Sequence, residues 1–195
     1  MIKVGLCGTI GSGKSTVCRM FEQLGVATYI ADDRAKELMR SDKALIDSIV
    51  AAFGSESYVS GELNRKYLAS QIFADDSKRL LLNSLVHPAV CRDFCCWAES
   101  QSGDYVIVES ALLFESGLKD VVDYTVAVVV PDCVAIERAM VRDGATREAV
   151  LSRMAVQMSA EQLQSRADFT IENISLQSTK AQVESVDRFL RDAIS

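Results

Sequence analysis

Eight residues near the start of the chain form a pattern that binds phosphate in many proteins. Residues 8–15 read Gly-Thr-Ile-Gly-Ser-Gly-Lys-Ser, which matches the P-loop pattern G-x-x-x-x-G-K-[ST]. Gly8, Gly11 and Gly13 allow the backbone to curl so that successive N–H groups point at phosphate oxygens. Lys14 can bring a mobile cation to the β- and γ-phosphates, and the Ser15 hydroxyl is placed to ligate magnesium. The pattern predicts a nucleotide-phosphate site.

The sequence on either side of this loop is the context that the motif requires. Residues 2–7 form a short apolar run typical of a buried strand, and residues 15–24 carry apolar side chains at helical spacing. The alternative is a chance glycine-rich turn. Such a turn would not be expected to combine a strand, a lysine, a serine and a helix in this order.

Asp32 is the next candidate for a chemical role. It follows a predicted second strand at residues 26–30, and parallel α/β sheets bind ligands beyond the carboxyl ends of their strands. A carboxylate there can accept or orient the proton of an attacking hydroxyl and contact the magnesium shell. Capping of the following helix by Asp32 or Asp33 explains the same spacing equally well.

Two arginines and two acids complete the set of candidates. Arg138 and Arg142 lie one helical turn apart and share a helix face. On a mobile lid they can stabilise the charge of a transferred phosphoryl group, although a solvated basic stripe is the commoner fate of such pairs. Glu109 ends an apolar strand and can serve the magnesium shell, and Glu115 can face an acceptor pocket. Either can equally be a surface acid.

Composition limits the classes of function. The chain has 195 residues, 49% of them hydrophobic, with a net charge of -6. A sizeable core is therefore expected, and a nucleic acid or an anionic membrane is not expected as the main partner. No apolar run is long enough to cross a bilayer, and the first residues already form the strand and P-loop rather than a signal peptide. We therefore expect a cytoplasmic protein.

A metal-binding cluster is the one alternative use of the cysteines. His87, Cys91 and Cys95 fall at helical spacing, but Pro88 follows directly and the sequence offers no second pair of ligands. Structural zinc requires four ligands. We therefore expect no zinc site and six reduced thiols.

Strands alternate with helices along most of the chain, which predicts an α/β fold with a parallel, doubly wound sheet. Residues 42–100 instead indicate helices and one short strand at 56–59, so they form a helical insertion. Asp132 is placed to cap the helix after Pro131. The further predicted strands lie at 105–108, 124–130 and 169–171, and the turns within the insertion at Phe53-Gly54, Gly61 and His87-Pro88.

Taken in order, these motifs resemble those of the dephospho-CoA kinase family over nearly the whole chain. No motif beyond the P-loop is specific alone, but the ordered set is hard to obtain by chance. The matching positions are residues 8–16, Ala31-Asp32 with Ala35, Phe53-Gly54, Gly61, Leu63, Arg65, Leu68, Phe73, His87-Pro88, residues 112–115, Arg138, Arg142, Arg153, Gln157, Ala167-Asp168 and Asn173.

The resemblance implies a P-loop kinase fold with a helical acceptor-binding insertion and a lid. It places the nucleotide-binding core at residues 1–32, 103–137 and 167–195, the acceptor domain at 33–102 and the lid at 138–166. It implies transfer of the γ-phosphate of ATP, with Mg²⁺, to the ribose 3′-hydroxyl of dephospho-CoA, with small molecules as the only implied partners.

The resemblance also assigns roles to residues. Lys14, Arg138 and Asp32 would be catalytic, with Asp32 activating the hydroxyl. The predicted ATP-binding residues are Gly8, Gly11, Ser12, Gly13, Lys14, Ser15, Thr16 and Arg142, with Ser15 also ligating magnesium. The predicted acceptor-binding residues are Asp32, Arg65, His87, Leu113 and Glu115. For His87, packing at a helix start stays an equal alternative.

Four positions depart from the family pattern. Cys7 stands where the family often has threonine, Thr9 where it often has glycine, Ile30 where it often has aspartate, and Ala111 where it often has proline. Two other functions share the main features. A different small-molecule or nucleoside monophosphate kinase would use the same loop and lid. A nucleotide-dependent switch would need a base-reading motif, which the sequence does not contain.

Overall fold

The computed structural model describes residues 1–193, apart from the side chain of Ala74. The strands are β1 (Ile2–Gly8), β2 (Ala27–Ile30), β3 (Tyr58–Val59), β4 (Glu62–Leu63), β5 (Tyr105–Glu109), β6 (Tyr124–Val129) and β7 (Phe169–Glu172). The helices are α1 (Lys14–Gln23), α2 (Ala31–Ser41), α3 (Lys43–Phe53), α4 (Arg65–Ala74), α5 (Asp76–Glu99), α6 (Asp132–Asp143), α7 (Arg147–Met154), α8 (Ala160–Arg166) and α9 (Leu176–Asp192).

The chain divides into two units. The sheet unit combines Met1–Ile30 with the segment that begins at Trp97, and the helical unit is Ala31–Cys96. In the sheet unit, five strands pair in the order β2-β5-β1-β6-β7, and every pairing is parallel. The predicted parallel α/β fold is therefore confirmed. The motif-bearing strand β1 lies at the centre of the sheet, so the loop that follows it is supported by neighbouring strands on both sides.

Apolar side chains of this sheet and of α1 and α9 form the main core of the sheet unit. The alternation of side chains along each strand turns every second residue toward these helices. The most deeply buried members are Val4, Leu6, Val17, Phe21, Ile107, Val126, Val128, Ile171, Val183 and Leu190. Because α1 is packed in this core, its first turn and the loop before it have a fixed position.

The helical unit contains α2 to α5 and one small hairpin. Strands β3 and β4 pair antiparallel through a two-residue turn, in which Ser60 and Gly61 both have positive φ, 53° and 83°. This is the geometry of a type I′ turn. The sequence predicted a strand at 56–59 but not its partner β4. Within this unit the guanidinium of Arg34 forms a two-pronged ion pair with Asp93, which ties α2 to α5.

Two predictions of local structure are wrong. His87 and Pro88 do not form a turn, because α5 continues through Pro88. Packing holds the helix together there, since Val86, Ala89 and other side chains along it are buried. Asp132 does not cap α6 either. Pro131 occupies the cap position without a side-chain hydrogen bond, and Asp132 is the first helical residue.

Across residues 1–193, none of the helices combines the length and the apolar character that crossing a bilayer demands.

Candidate active site

The glycines of the P-loop are required by their surroundings as well as by their backbone angles. Gly11 and Gly13 have φ of 79° and 90°, in the left-handed region. A Cβ on Gly11 would lie 2.0 Å from the carbonyl oxygen of Ala135, and one on Gly13 would lie 2.0 Å from Nδ2 of Asn173. The loop is therefore packed against two other segments. Gly13 is also the N-cap of α1 and offers no side-chain acceptor to the first N–H groups of the helix.

The Lys14 side chain lies folded over the loop. Its Nζ donates to the carbonyl oxygen of Gly8 at 3.0 Å and to that of Thr9 at 3.4 Å. It also lies 3.8 Å from a carboxylate oxygen of Glu109, at the end of the neighbouring strand β5. The ammonium and the carboxylate are 14% and 12% exposed. This pairing holds a cation at the end of β1, where the electrostatic field of α1 also favours an anion.

Two hydroxyl groups of the loop have no partner among the residues that the structure describes. Thr9 Oγ1 and Ser12 Oγ are buried and make no hydrogen bond. A buried hydroxyl without a partner costs free energy, of the order of 1–3 kcal/mol. Together with the glycine-lined backbone, they fit a ligand that is rich in hydrogen-bond acceptors. Ser15 and Thr16 follow in the first turn of α1, and Ser15 is exposed.

Asn173, directly after β7, holds the second half of the loop. Its Nδ2 donates to the carbonyl oxygen of Ser12 at 2.8 Å, and its Oδ1 accepts from Oγ1 of Thr179 at 3.0 Å. Its backbone N–H donates to Val129 at the end of β6. Asn173 is 5% exposed. It therefore connects the P-loop, the sheet and α9 in one buried network.

Arg138 reaches the same point. Its Nη1 donates to the backbone carbonyl of Asn173 at 3.0 Å, and it would lie 3.9 Å from a Cβ placed on Gly13. The structure therefore brings Arg138 to the P-loop, as the prediction of a shared site requires. A guanidinium with unused donors beside a phosphate-binding loop can stabilise charge on phosphoryl oxygens.

Arg142, one turn later, is engaged elsewhere. Its Nε and Nη2 donate to the two carboxylate oxygens of Asp143 at 2.7 and 3.0 Å, and Arg153 of α7 donates to the same carboxylate at 2.8 Å. Hydrogen bonds from Arg142 and then Arg153 hold the pKa of Asp143 well below its usual range. Within residues 1–193 the guanidinium of Arg142 forms its hydrogen bonds with Asp143 and none with the loop, and its predicted role in ATP binding stays a prediction.

The first half of the loop is held from α6 and α7. The N–H of Ile10 donates to Oε1 of Gln157, just after α7, at 3.0 Å. The Ile10 side chain is buried in a small apolar cluster with Ile136, Ala139 and Val150. The P-loop therefore has two sets of supports, one from β7 and one from the segment predicted to be the lid.

A groove of about 490 Å³ opens in the sheet unit beside Asn173. Its walls combine apolar side chains with carboxylates, which suits an aromatic ring that carries N–H donors. The residues that define it include Val130, Pro131, Asp132, Glu161, Glu172 and Ile174.

The remaining candidates of the sheet unit lie after β5. Leu113 is 1% exposed and packs its methyl groups over Gly5, so that a Cβ there would lie 2.7 Å from Leu113 Cδ2. In this conformation it fills the core and offers no surface to a ligand. Glu115 is exposed in the turn that follows. Their predicted acceptor contacts stay predictions.

Three candidates belong to the helical unit. Asp32 is exposed in the first turn of α2, which follows β2 without an intervening loop. Arg65 is exposed at the start of α4, whose cap is Asn64. His87 is half-buried within α5, and burial lowers the pKa of its imidazole from its usual value. This shift favours the neutral ring, which suits a neutral hydrogen bond or packing as its contact with a ligand.

Three residues of this region are hard to recognise from sequence: Asn173 and Gln157, which support the loop, and Asp143, which pairs with Arg142. Asn173 follows a predicted strand, and a polar residue at the carboxyl end of a strand is a usable signal. Gln157 is separated from Ile10 by 147 positions, and no local pattern marks it. Asp143 reads as one more charge on an exposed helix. In the sequence, Asn173 and Gln157 are marked only as positions that match the family pattern.

Comparison with known proteins gives consistent results. A family model described as dephospho-CoA kinase matches residues 2–178. A dephospho-CoA kinase of Syntrophotalea carbinolica is 40% identical over 189 residues, which are 94% of this chain and 89% of that protein. A crystal structure from Thermus thermophilus superposes with a TM-score of 0.83 at 29% identity, covering 100% of this chain and 98% of the other. The dephospho-CoA kinase of Campylobacter jejuni has the same fold, with a TM-score of 0.69 at 22% identity and 98% coverage of both chains.

Proposed function

Because the chain belongs to the dephospho-CoA kinase family, we propose that it transfers the γ-phosphate of ATP to the ribose 3′-hydroxyl of dephospho-CoA. The products are coenzyme A and ADP, and the reaction is the final step of coenzyme A synthesis. The proposed location is the cytoplasm. One observation is the main support for this proposal. Lys14 lies over the glycine-rich P-loop, and Arg138 lies beside the same loop, next to Gly13.

Phosphoryl transfer asks the protein mainly for position and for charge stabilisation. The loop N–H groups and the first turn of α1 hold the phosphates, and the orphaned hydroxyls of Thr9 and Ser12 gain acceptors. Lys14 leaves the carbonyls of Gly8 and Thr9 for phosphoryl oxygens. Arg138 uses the donors that Asn173 leaves free. We place the adenine ring of ATP in the groove beside Asn173.

Magnesium is part of the proposal. The Ser15 hydroxyl is exposed at the start of α1, and Glu109 places a carboxylate near Lys14, so both offer the oxygen ligands that this ion prefers. Bound with ATP, the ion would supply neutralisation of the β- and γ-phosphate charge.

The acceptor side rests on the helical unit. We assign Asp32 the task of accepting or orienting the proton of the ribose hydroxyl, because its carboxylate is exposed directly after β2. Arg65 and His87 are the proposed contacts to dephospho-CoA, with Glu115 from the sheet unit. Leu113 would support them through packing rather than through contact. Lid closure would exclude water, which otherwise competes with the ribose hydroxyl.

The test is a coupled assay of ADP release with ATP and Mg²⁺, run with dephospho-CoA, with AMP and without an acceptor. Strong stimulation by dephospho-CoA alone, with coenzyme A as product, supports the proposal. Activity on AMP instead would assign the chain to another group of small-molecule kinases. Tight ATP binding with slow turnover under all conditions would favour a nucleotide-dependent switch. Lys14→Met is the control for background hydrolysis.

A further inference from the structure

Within residues 1–193, Gln157 is the one side chain of the predicted lid, residues 138–166, that forms a hydrogen bond to the P-loop backbone. Its Oε1 accepts the N–H of Ile10 at 3.0 Å. Ile10 is 6% exposed, so without this acceptor its N–H would be buried without a partner. A buried orphan of this kind is rare in folded proteins.

The position of Ile10 matters because the loop reverses direction there. Directly after it, the backbone of Gly11 packs against the carbonyl of Ala135, with no room for a Cβ. The Ile10 side chain packs against Ile136, Ala139 and Val150 of α6 and α7. Ile10 is therefore held in two ways: its backbone N–H by Gln157 of the predicted lid, and its side chain by α6 and α7.

We propose that Gln157 is a positioning residue for nucleotide binding, which fixes the first half of the P-loop to the predicted lid. Asn173 fixes the second half through Ser12. The two supports differ in origin. Asn173 follows a sheet strand, whereas Gln157 lies in a turn between α7 and α8. Any displacement of α7 is transmitted to the loop amides through this hydrogen bond, which couples the lid to the phosphate site.

The decisive variant is Gln157→Met, which keeps the length of the side chain and removes the amide oxygen. Amide hydrogen exchange of the nucleotide-free protein is measured for Ile10 and for α9 as an internal reference. We expect exchange of Ile10 to accelerate at least about fivefold, the ratio that corresponds to one net hydrogen bond, with α9 unchanged. Gln23→Met, at the exposed last residue of α1, is the matched control and should change neither.

Binding is measured with inorganic triphosphate, which needs neither an acceptor nor the base. Gln157→Met should weaken its affinity by about fivefold, and in the kinase assay it should raise the KM for ATP by a similar factor. The KM for the acceptor should stay within about twofold. Gln157→Glu keeps an oxygen acceptor, so it should restore slow exchange at Ile10, although its charge opposes phosphate binding.

Unchanged exchange at Ile10 in Gln157→Met would overturn the inference. So would faster exchange with unaltered triphosphate affinity, because Gln157 would then only stabilise the turn. If Gln157→Met does not fold, the shorter Gln157→Asn is measured under the same criteria. The kinase assay rests on the proposed function, but exchange and triphosphate binding do not. A wild-type protein inactive on dephospho-CoA would therefore refute that function while leaving this inference open to its own test.

Discussion

Asn173→Ala tests the anchoring of the P-loop most directly. The substitution removes the donor to the Ser12 carbonyl, at 2.8 Å, and the acceptor of Thr179 Oγ1, at 3.0 Å. The backbone bonds of residue 173 to Val129 and Arg138 do not involve the side chain and can persist. The change therefore separates the loop from its support while leaving the strand and the arginine in place.

The magnitude follows from the partners that are left behind. Thr179 Oγ1 still donates to the carbonyl of Ser175 at 2.7 Å, so it keeps one partner. Ser12 is fully buried, and its carbonyl loses the Asn173 side-chain donor. Two net hydrogen bonds and one orphaned carbonyl together correspond to about 2–3 kcal/mol of unfolding free energy. For a protein of this size the melting temperature should fall by about 4–12 °C.

The functional effect should be larger on ATP than on the acceptor. With Ser12 released, the loop amides must be ordered by the ligand, and we expect the KM for ATP to rise about tenfold. Thr179→Val is the matched control, because it removes the hydrogen bonds of the Thr179 hydroxyl to Asn173 and Ser175 and leaves the bond from Asn173 to Ser12 in place. It should cost about 1 kcal/mol and leave the KM for ATP nearly unchanged.

Urea unfolding and steady-state kinetics on the two variants decide the question. If the free energy of unfolding of Asn173→Ala is within about 0.5 kcal/mol of that of the unmodified protein, the hydrogen bonds of Asn173 contribute less than their geometry implies. If both variants change the KM for ATP equally, the loop is not held specifically through Ser12. Either result would refute the reasoning.

Three further predictions concern single residues. Lys14→Ala should lower turnover by about a hundredfold or more, because the transferred group loses its cation, and single-turnover kinetics with saturating ATP check this; a near-normal rate would exclude the role. Asp32→Asn should keep ATP binding, measured by calorimetry, and lose transfer; collapse of ATP affinity with transfer intact would make Asp32 structural. Burial raises the pKa of the Cys7 thiol to about 12 from 9.0, so this thiol stabilises the fold below pH 9 and loses that advantage as the pH rises. Iodoacetamide at pH 8 should therefore label the exposed Cys96 and spare Cys7, as mass spectrometry of peptides would show; equal labelling would contradict the burial argument.

The wrong predictions show where sequence patterns fail. The dipeptide His87-Pro88 indicated a turn because proline lacks an N–H and disfavours the helix before it. In the structure α5 runs from Asp76 to Glu99 through this point, and buried side chains on both sides of the proline stabilise the continuous helix. The hairpin partner β4 was missed because two residues carry too little pattern to be recognised.

The site predictions divide in a similar way. Arg138 was proposed from its spacing, with a solvated stripe as the alternative, and the structure places it against Asn173 beside Gly13. The same helical spacing predicted that Arg142 would also face the phosphates, yet in the structure it pairs with Asp143. A helical period tells which residues share a face but not which acceptor lies nearest, so the two arginines could not be distinguished from sequence.

Local sequence patterns were sufficient to predict the P-loop, the strand before it, the helix after it and the parallel α/β order. These are local properties, because glycine freedom, apolar runs and helical spacing act over a few residues. The residues that hold the loop in place became identifiable only from the folded chain. Ile10 meets Gln157 across 147 positions, and Ser12 meets Asn173 across 161. Such pairs form only when the strands take their places in the sheet, since nothing in either segment specifies its distant partner.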